Sequence, residues 1–182
     1  MKKSESTDLA LAESLRTLMM RMPFEKITIK DITDEANVIR TTFYNHFQDK
    51  YDLLDWIYYE YYIKPSNQLI ENNMLLEAFT LMIKNMEKDK EFLLKATRGN
   101  KESMRDVMFR SYKDAVVKMV EAIDVDLPSI NPLFTNELVA EYYANNVTFV
   151  VLKWIDMDMK VPSDKVVELF QTMFITSIEG FL

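Results

Sequence analysis

The sequence of 182 residues contains no cysteine, one histidine and few residues that interrupt helices. Without cysteine there is no disulfide framework and no thiolate metal site, which fits a reducing cytoplasm. Because His46 is the only histidine, a histidine-based catalytic triad or a multi-histidine metal site is excluded. The 2 Gly and 5 Pro are few for a chain of this length, and this scarcity favours an all-α fold.

Long apolar runs and phosphate-binding loops are also missing. No stretch reaches the ~18 uninterrupted apolar residues of a membrane span, and residues 1–8 lack the apolar run of a signal peptide. No glycine-rich loop can cradle a phosphate, and the carboxylates fall at the spacings of solvated helix faces. We therefore expect a cytoplasmic protein that is not an enzyme, needs no cofactor or metal, and has no membrane partner.

Negative charge is in excess, but it is unevenly distributed. The formal net charge is −7, while residues 1–50 hold eight basic and eight acidic side chains. The remaining 132 residues therefore carry the whole excess of acidic groups. A neutral N-terminal head with a few placed cations can approach phosphates, whereas an acidic body is repelled by them.

Residues 28–50 have the pattern of two short helices joined by a tight turn. Thr28 can cap the first helix, and Asp31 stands three residues on, where an acidic residue completes a capping box. Asn37 lies where the chain must turn, and asparagine tolerates the left-handed backbone conformation. In the second helix Phe43 and Phe47 share one face and can anchor it to the core.

The other side chains of the second helix are an unusual set for a protein surface. They are hydrogen-bonding groups of different lengths: Arg40, Thr41, Thr42, Tyr44, Asn45 and His46. A solvated helix face is usually rich in glutamate and lysine, yet no acidic residue occurs from Arg40 to Gln48. The alternative is one more helical hairpin in a bundle. A helix that reads base edges in the major groove of double-stranded DNA explains the composition better.

From Thr42 to Phe47, and again at Asp49, Lys50 and Leu53, the chain resembles the N-terminal signature of TetR-family transcriptional regulators. The resemblance extends over about residues 9–56, and beyond it only size and helical character agree. It implies an N-terminal three-helix helix-turn-helix domain that binds DNA, with a ligand-binding and dimerising helical domain behind it.

We expect the DNA-binding domain, here called the head, at residues 1–50, and the regulatory and dimerisation domain, the body, at residues 51–182. Carried over by position, the resemblance implies contacts with bases or the DNA backbone for most of the polar set and for two lysines. Of these, Lys50 is expected to hold a phosphate. With Thr28 and Asn45 included, the expected DNA-binding residues are Thr28, Lys30, Arg40, Thr41, Thr42, Tyr44, Asn45, His46 and Lys50.

Two positions depart from the family pattern. The family usually has glycine in the turn, where this chain has Asn37, a physically acceptable replacement. The family often has a serine that caps the recognition helix at the position of Ile39. Isoleucine has no side-chain oxygen and cannot cap, so we expect the recognition helix to begin within about one residue of this position.

Elsewhere, apolar residues recur at helical spacing. The predicted helices are 7–22, 50–64, 75–88, 90–98, 101–123, 136–155 and 163–182, with Pro23 and Pro65 ending the first two. A loop is predicted at 124–131, which contains Pro128.

The last two predicted helices are apolar over much of their circumference, which indicates burial on several faces. Either both lie inside the bundle, or one face of each meets a second copy of the chain. Because helix-turn-helix proteins usually read two half-sites as a twofold dimer, we favour the second alternative. The expected homodimer interface comprises Tyr143, Val147, Val150, Trp154, Phe170, Phe174 and Ile178.

Methionine is abundant, with 13 residues. Methionine fills irregular gaps in cores and also lines adaptable pockets, and for any single residue core packing is the simpler interpretation. Together with nearby aromatic residues, several methionines could line a pocket for a small apolar ligand. The candidate pocket residues are Phe79, Met82, Met86, Met104, Met108, Phe109, Tyr112 and Met119.

The sequence thus favours a homodimeric regulator, acting as a repressor on a palindromic operator and controlled by an apolar ligand. Control by a partner protein is the alternative for the body. A different class is a helical interaction module with a vestigial head that acts through its apolar C-terminal helices.

Overall fold

The computed structural model describes residues 3–72, 74–121 and 127–175, in which every regular element is helical. The predicted all-α fold is confirmed. The α-helices of these ranges are α1 (Lys3–Arg21), α2 (Ile29–Glu35), α3 (Arg40–Tyr44), α4 (Lys50–Tyr58), α5 (Asn67–Glu71), α6 (Leu75–Lys88), α7 (Lys90–Arg98), α8 (Lys101–Glu121), α9 (Leu127–Ile130), α10 (Asn136–Asp156) and α11 (Ser163–Phe170). None of these helices combines the length and apolar character needed to cross a membrane.

The head is built on α1, which packs against α2, α4 and the body helix α7. Its core comprises fully buried residues of α1, α2 and α3, among them Leu11, Leu15, Ile32 and Phe43, and Leu53 of α4 belongs to the same buried cluster. Phe43 and Phe47 are both buried, as their spacing predicts, so one side of the α3 region is fixed to this core. The opposite side is thereby directed to solvent.

The body is organised around α8 and α10, which pack along each other, with α11 against α6. Phe79 of α6 and Phe170 of α11 stack with their ring centroids 3.8 Å apart. At the far end of α10, Trp154 Nε1 donates to the carbonyl of Val161 at 2.7 Å and fixes the turn into α11. These contacts hold the helices that surround the cavity described below.

The prediction that a helix stops at Pro65 is wrong. After α4 the backbone forms a wider π-helical segment (Tyr59–Ile63), then a 3₁₀ turn (Lys64–Ser66), and α5 follows directly. Pro65 occupies the first turn of the 3₁₀ segment. Proline is tolerated there because the first amides of a helix have no intrahelical acceptor in any case.

Two further boundaries differ from prediction. The predicted loop contains the short helix α9, in which Pro128 again stands in the first turn. The last helix changes to a π-helical segment (Gln171–Ile175) after Phe170. The remainder of that predicted helix lies outside the described residues.

Candidate nucleic-acid interface and body cavity

The start of α2 is fixed by the predicted capping box. The Thr28 hydroxyl oxygen accepts from the backbone N–H of Asp31 at 3.2 Å, and Asp31 Oδ2 accepts from the Thr28 N–H at 2.8 Å. The Thr28 hydroxyl also donates to Asp31 Oδ2 at 2.7 Å. These bonds to Thr28 lower the pKa of Asp31 because they stabilise its charged form. Thr28 therefore orients α2, and its hydroxyl proton is already used within the protein.

The turn between α2 and α3 has the predicted left-handed residue. Asn37 has φ of 54°, and the amide of Val38 donates back across it to the carbonyl of Thr33 at 2.9 Å. Val38 is half-buried and packs against the core. The left-handed conformation and this apolar contact reverse the chain within a few residues and set the angle between the two helices.

The first residue of α3 is Arg40, preceded by Ile39 in an extended conformation. As expected, Ile39 makes no capping hydrogen bond. A serine or threonine at an N-cap is worth about 0.5–2 kcal/mol relative to a residue that cannot cap. Ile39 is 70% exposed, so packing within the protein does not replace the missing cap.

Four of the predicted DNA-binding side chains on α3 and its C-cap are exposed: Arg40, Thr41, Tyr44 and Asn45. None of these four forms a side-chain hydrogen bond or ion pair with a described residue. Tyr44 is 58% exposed, and its ring leans edge-on against Phe43 at 5.6 Å. Thr42 is half-buried. The exposed face of α3 therefore carries a free guanidinium, hydroxyls and an amide, which can all pair with DNA.

His46, just after α3, lies closer to the protein interior than predicted. Its side chain is 17% exposed, and Nδ1 lies 2.6 Å from Asp8 Oδ1 on α1. This contact ties the end of the recognition helix to α1. Nδ1 is thus engaged, and only Nε2 of the ring has no bond to a described residue. Sequence reasoning missed this pairing, because the two residues are 38 positions apart.

The expected phosphate contact of Lys50 does not agree with its geometry. Its ammonium donates to three carbonyl oxygens in the connection between α1 and α2: Phe24 at 2.8 Å, Glu25 at 3.1 Å and Ile27 at 2.9 Å. It also lies 4.6 Å from the centre of the Phe24 ring. Partial burial lowers the pKa of Lys50. Since an ammonium has three N–H donors, a phosphate would have to displace one of these carbonyls.

Lys30, by contrast, remains available to DNA. Its ammonium lies 2.6 Å from Asp34 Oδ2, and both side chains are more than half exposed. The hydrogen bond to Asp34 raises the pKa of Lys30. Exposed pairs of this kind contribute little free energy, so replacing the carboxylate by a DNA phosphate as the partner of Lys30 costs little.

The body contains an apolar cavity of about 100 Å³, partly open to solvent. Of the eight predicted pocket residues, Phe79, Met82, Tyr112 and Met119 line it. The other four do not reach the wall: Met86, Met104 and Met108 are fully buried in the core, and Phe109 is half-buried against it. Sequence reasoning missed several wall residues, including Tyr62, Ser66, Ala115, Tyr143 and Val147.

The polar groups around the cavity are bonded within the protein. The hydroxyl of Ser66 donates to the carbonyl of Ala78 at 3.1 Å. The hydroxyls of Tyr112 and Tyr58 are hydrogen-bonded to each other, and burial raises the pKa of both. The wall is thus apolar in character and suits an apolar rather than a charged occupant.

A largely buried polar network joins α1 of the head to the cavity wall. Arg16 Nη2 donates to Asp89 Oδ1 at 2.8 Å, and Nη1 lies 2.8 Å from Oδ2. Tyr62, on the wall, donates its hydroxyl to Asp89 Oδ2 at 2.5 Å. Burial and the adjacent carboxylate hold the pKa of Tyr62 well above its usual range. The Arg16 guanidinium also covers the rings of Tyr61 and Phe92. The head is therefore fastened to the body beside the cavity.

Most of the predicted dimer residues face the body's own core instead of its surface. Val147, Trp154 and Phe170 are buried, and Tyr143 and Val150 are half-buried against the core. For Phe174 no side-chain position is described, and Ile178 lies outside the described residues.

Five of the exposed apolar side chains of the body lie on a different face of α10 and on the α11 region: Leu138, Tyr142, Phe149, Leu169 and Met173. We call this set the C-terminal apolar face. The spacing of Leu138, Tyr142 and Phe149 places them on one side of α10. The sequence alone therefore indicates that they share a face, although the predicted interface does not include them.

Comparisons with known proteins agree with this architecture. Residues 13–57 match the family model "Bacterial regulatory proteins, tetR family", and residues 73–176 match "Transcriptional regulator C-terminal region". The HTH-type dhaKLM operon transcriptional activator DhaS of Lactococcus lactis subsp. lactis (strain IL1403) is 40% identical over 58 residues. That alignment covers 32% of this chain and 31% of the relative, so less than a third of its length is matched.

A solved structure, "Dihydroxyacetone kinase operon activator DhaS", superimposes with a TM-score of 0.61 at 18% identity. The superposition covers 95% of this chain and 96% of that chain. At this level of identity the likeness concerns the fold, which is shared over nearly the whole length.

Proposed function

This chain belongs to the TetR family of transcriptional regulators, which are not enzymes, and we propose that it acts in the cytoplasm as a homodimer on a palindromic DNA operator. One observation carries the proposal: the exposed side chains of α3 and its C-cap are hydrogen-bonding groups without partners in the described protein. Unpaired donors on a helix anchored by Phe43 suit a partner that offers many acceptors, as the major groove of DNA does.

In the proposed complex the head, residues 1–50, docks with α3 in the major groove. Arg40, Thr41, Tyr44 and Asn45 contact base edges and phosphates, and Thr42 adds a hydroxyl at the border of the contact. Of the remaining candidates, Lys30 binds a phosphate, His46 offers Nε2, and Thr28 acts by holding α2 in place.

Selection of bound fragments from genomic DNA tests this proposal and yields the operator. We expect a footprint with two symmetric half-sites and an affinity that falls with salt concentration. Tyr44→Ala should weaken operator binding while leaving the helical circular dichroism signal unchanged, because the side chain is exposed. Failure to select any DNA, or full-strength binding by Tyr44→Ala, would contradict the assignment.

Lys50 is tested separately, because its carbonyl bonds argue against a phosphate contact. If the ammonium stays on the carbonyls of the α1–α2 connection, Lys50→Met lowers the stability of the head. The slope of log affinity against log salt is then unchanged. A decrease of about one in the magnitude of that slope would show instead that Lys50 contacts a phosphate.

We propose that the C-terminal apolar face joins two copies of the chain. Helix-turn-helix proteins read two half-sites through twofold dimers, and the large apolar side chains exposed on α10 and on the α11 region favour such an interface. Phe149, 69% exposed, is the test position. Phe149→Asp should convert a dimer at micromolar concentration into a monomer in sedimentation. Leu133→Asp, at a 76% exposed residue before α10, is the matched control and should remain dimeric. Wild-type protein that sediments as a monomer would exclude this interface.

We further propose that the cavity binds a small apolar ligand that alters operator binding. A volume of about 100 Å³ is smaller than most drug-sized sites and close to cavities that hold a benzene-sized molecule. The supporting contact is the bond from Tyr62 to Asp89, since a ligand that displaces this ring also disturbs the attachment of Arg16 in the head.

Thermal shift with small hydrophobic compounds tests the cavity. A ligand at 100-fold above its Kd should stabilise the protein by ~2.7 kcal/mol. Ala115→Leu, which adds bulk to the wall, should abolish that stabilisation, whereas Ala10→Leu on the exposed side of α1 should not. If no compound stabilises the protein, control by a partner protein becomes the better interpretation.

The direction of regulation is a separate question. The sequence favours a repressor, whereas the curated relative is described as an activator. A promoter fused to a reporter, with and without this protein, distinguishes the two: a repressor lowers the reporter signal and an activator raises it.

A further inference from the structure

Among the described residues of the head, Ile39 is the most exposed large apolar side chain. It is 70% exposed, compared with 58% for Tyr44 and 37% for Met22. The apolar residues around it behave differently, because Val38 packs against the core and Phe43 is fully buried. An aliphatic side chain left largely in water at this position contributes little to the packing of the described protein.

The position also carries a second disadvantage for the free protein. Ile39 is the N-cap of α3 and makes no capping hydrogen bond, although residues with a side-chain oxygen are strongly preferred there. Both the cap and the packing are therefore absent at one residue, which immediately precedes the unpaired guanidinium of Arg40.

The N-terminal residues of a recognition helix are those that contact base edges. Within the major groove only thymine presents an apolar group, its C5 methyl, and aliphatic side chains recognise it by direct contact. Building on the proposed operator binding, we propose that Ile39 is a specificity-determining residue that packs against the C5 methyl of one thymine in each half-site.

The test removes that methyl group and nothing else. Once the operator is known, each thymine of the half-site is replaced in turn by deoxyuridine, symmetrically in both halves. For the wild-type protein we expect one thymine whose replacement weakens binding by about fourfold per half-site, the loss that corresponds to one buried methyl group.

The same duplexes are then measured with Ile39→Ala. This variant should bind the natural operator more weakly and show no further loss with deoxyuridine at that position. Ile39→Val should keep most of the deoxyuridine effect. Tyr44→Phe is the control: it should bind more weakly yet retain the effect in full. Circular dichroism checks that the variants remain folded, as the exposure of Ile39 and Tyr44 leads us to expect.

Two results would overturn the inference: no thymine that responds to deoxyuridine, or equal losses in wild-type protein and Ile39→Ala. Either leaves the proposed operator binding intact. Failure of the wild-type protein to bind any DNA is seen before deoxyuridine is introduced, and it would remove the proposed function together with this inference.

Discussion

Tyr44 in the head and Tyr62 in the body use the same hydroxyl group in opposite ways. Tyr44 is 58% exposed and has no hydrogen-bond partner among the described residues, while Tyr62 is 1% exposed and bonds Asp89. A buried hydroxyl must be paired within the fold, because leaving it unpaired is costly. An exposed, unpaired group costs the fold nothing and remains available to a partner.

The same contrast holds between the two regions as a whole. In the body the cavity wall is apolar and its hydroxyls are engaged, so the chemistry there favours packing and an apolar occupant. On α3 the free groups are directed to solvent, and the recognition helix is anchored through the buried Phe43 and Phe47 and through the contact of His46 with Asp8. Substitutions of the exposed α3 side chains should therefore change operator affinity, and substitutions of buried groups in the body should change the free energy of unfolding.

The strongest test compares two arginines. Arg40 and Arg105 are both exposed, and neither is paired with an acidic residue in the described ranges, but only Arg40 lies on α3. Arg40→Ala should weaken operator binding by about 1–3 kcal/mol per half-site, whereas Arg105→Ala should bind as wild type. Fluorescence anisotropy at fixed salt measures both. Equal losses in the two variants would mean that general charge, and not the α3 surface, determines binding.

The network between head and body is tested by Asp89→Asn. The change removes the buried counter-charge of the Arg16 guanidinium, in a site where the two side chains are only 16% and 22% exposed, and leaves only the exposed carboxylate of Glu13 at 3.6 Å. We expect a loss of about 3 kcal/mol in the free energy of unfolding, the lower end for breaking a buried pair. Urea denaturation measures it.

Glu141→Gln is the matched control for Asp89→Asn. Glu141 pairs with Lys113 at 2.8 Å, but its side chain is 45% exposed. Removing its charge should cost less than about 1 kcal/mol. Similar losses in both variants would show that burial does not distinguish the two pairs.

Removing the hydroxyl of Tyr62 or of Tyr44 should have smaller effects, the first on stability and the second on operator affinity. Tyr62→Phe should lower the free energy of unfolding by about 1 kcal/mol, the net value of one hydrogen bond. Tyr44→Phe should leave unfolding unchanged and lower operator affinity by about fivefold per half-site, if its hydroxyl bonds DNA. Thermal denaturation and anisotropy on both variants separate the effects. A loss of stability in Tyr44→Phe would show that its hydroxyl has an intramolecular role.

The smallest effect is expected from acidification. Because Thr28 lowers the pKa of Asp31, this carboxylate stabilises α2 above the unfolded-state pKa of about 3.9. That stabilisation is lost as the pH falls through the lower pKa of the folded state. Asp31→Asn should therefore reduce the difference in melting temperature between neutral and acidic solution. An unchanged pH dependence in the variant would contradict the role of the capping box.

Much of the head can be predicted from sequence because its determinants are local. The Thr28–Asp31 capping box, the left-handed Asn37 and the Asp49 cap of α4 each involve residues within a few positions of one another. Local backbone chemistry allows few conformations for such patterns, so the elements could be located before the structure was known.

The partners of His46 and Lys50 could not be predicted in this way. Asp8 is 38 residues from His46, and the carbonyls bonded by Lys50 lie 23 to 26 residues away. No periodicity relates such positions. Only the packing of α1 and the α1–α2 connection against the rest of the head brings them together.

By itself, the sequence determined the all-α fold, the helix-turn-helix and the polar surface of α3. Helix breakers, caps and helical spacing depend only on residues that are close together in the sequence. The tertiary structure decided whether each apolar residue faces the core, the cavity or solvent. Val151 and Phe149 illustrate this: both lie on α10, which has apolar residues on several sides, yet one is fully buried and the other 69% exposed. Helical periodicity fixes which residues share a face, but the neighbouring helices determine whether that face meets the core, a cavity or solvent.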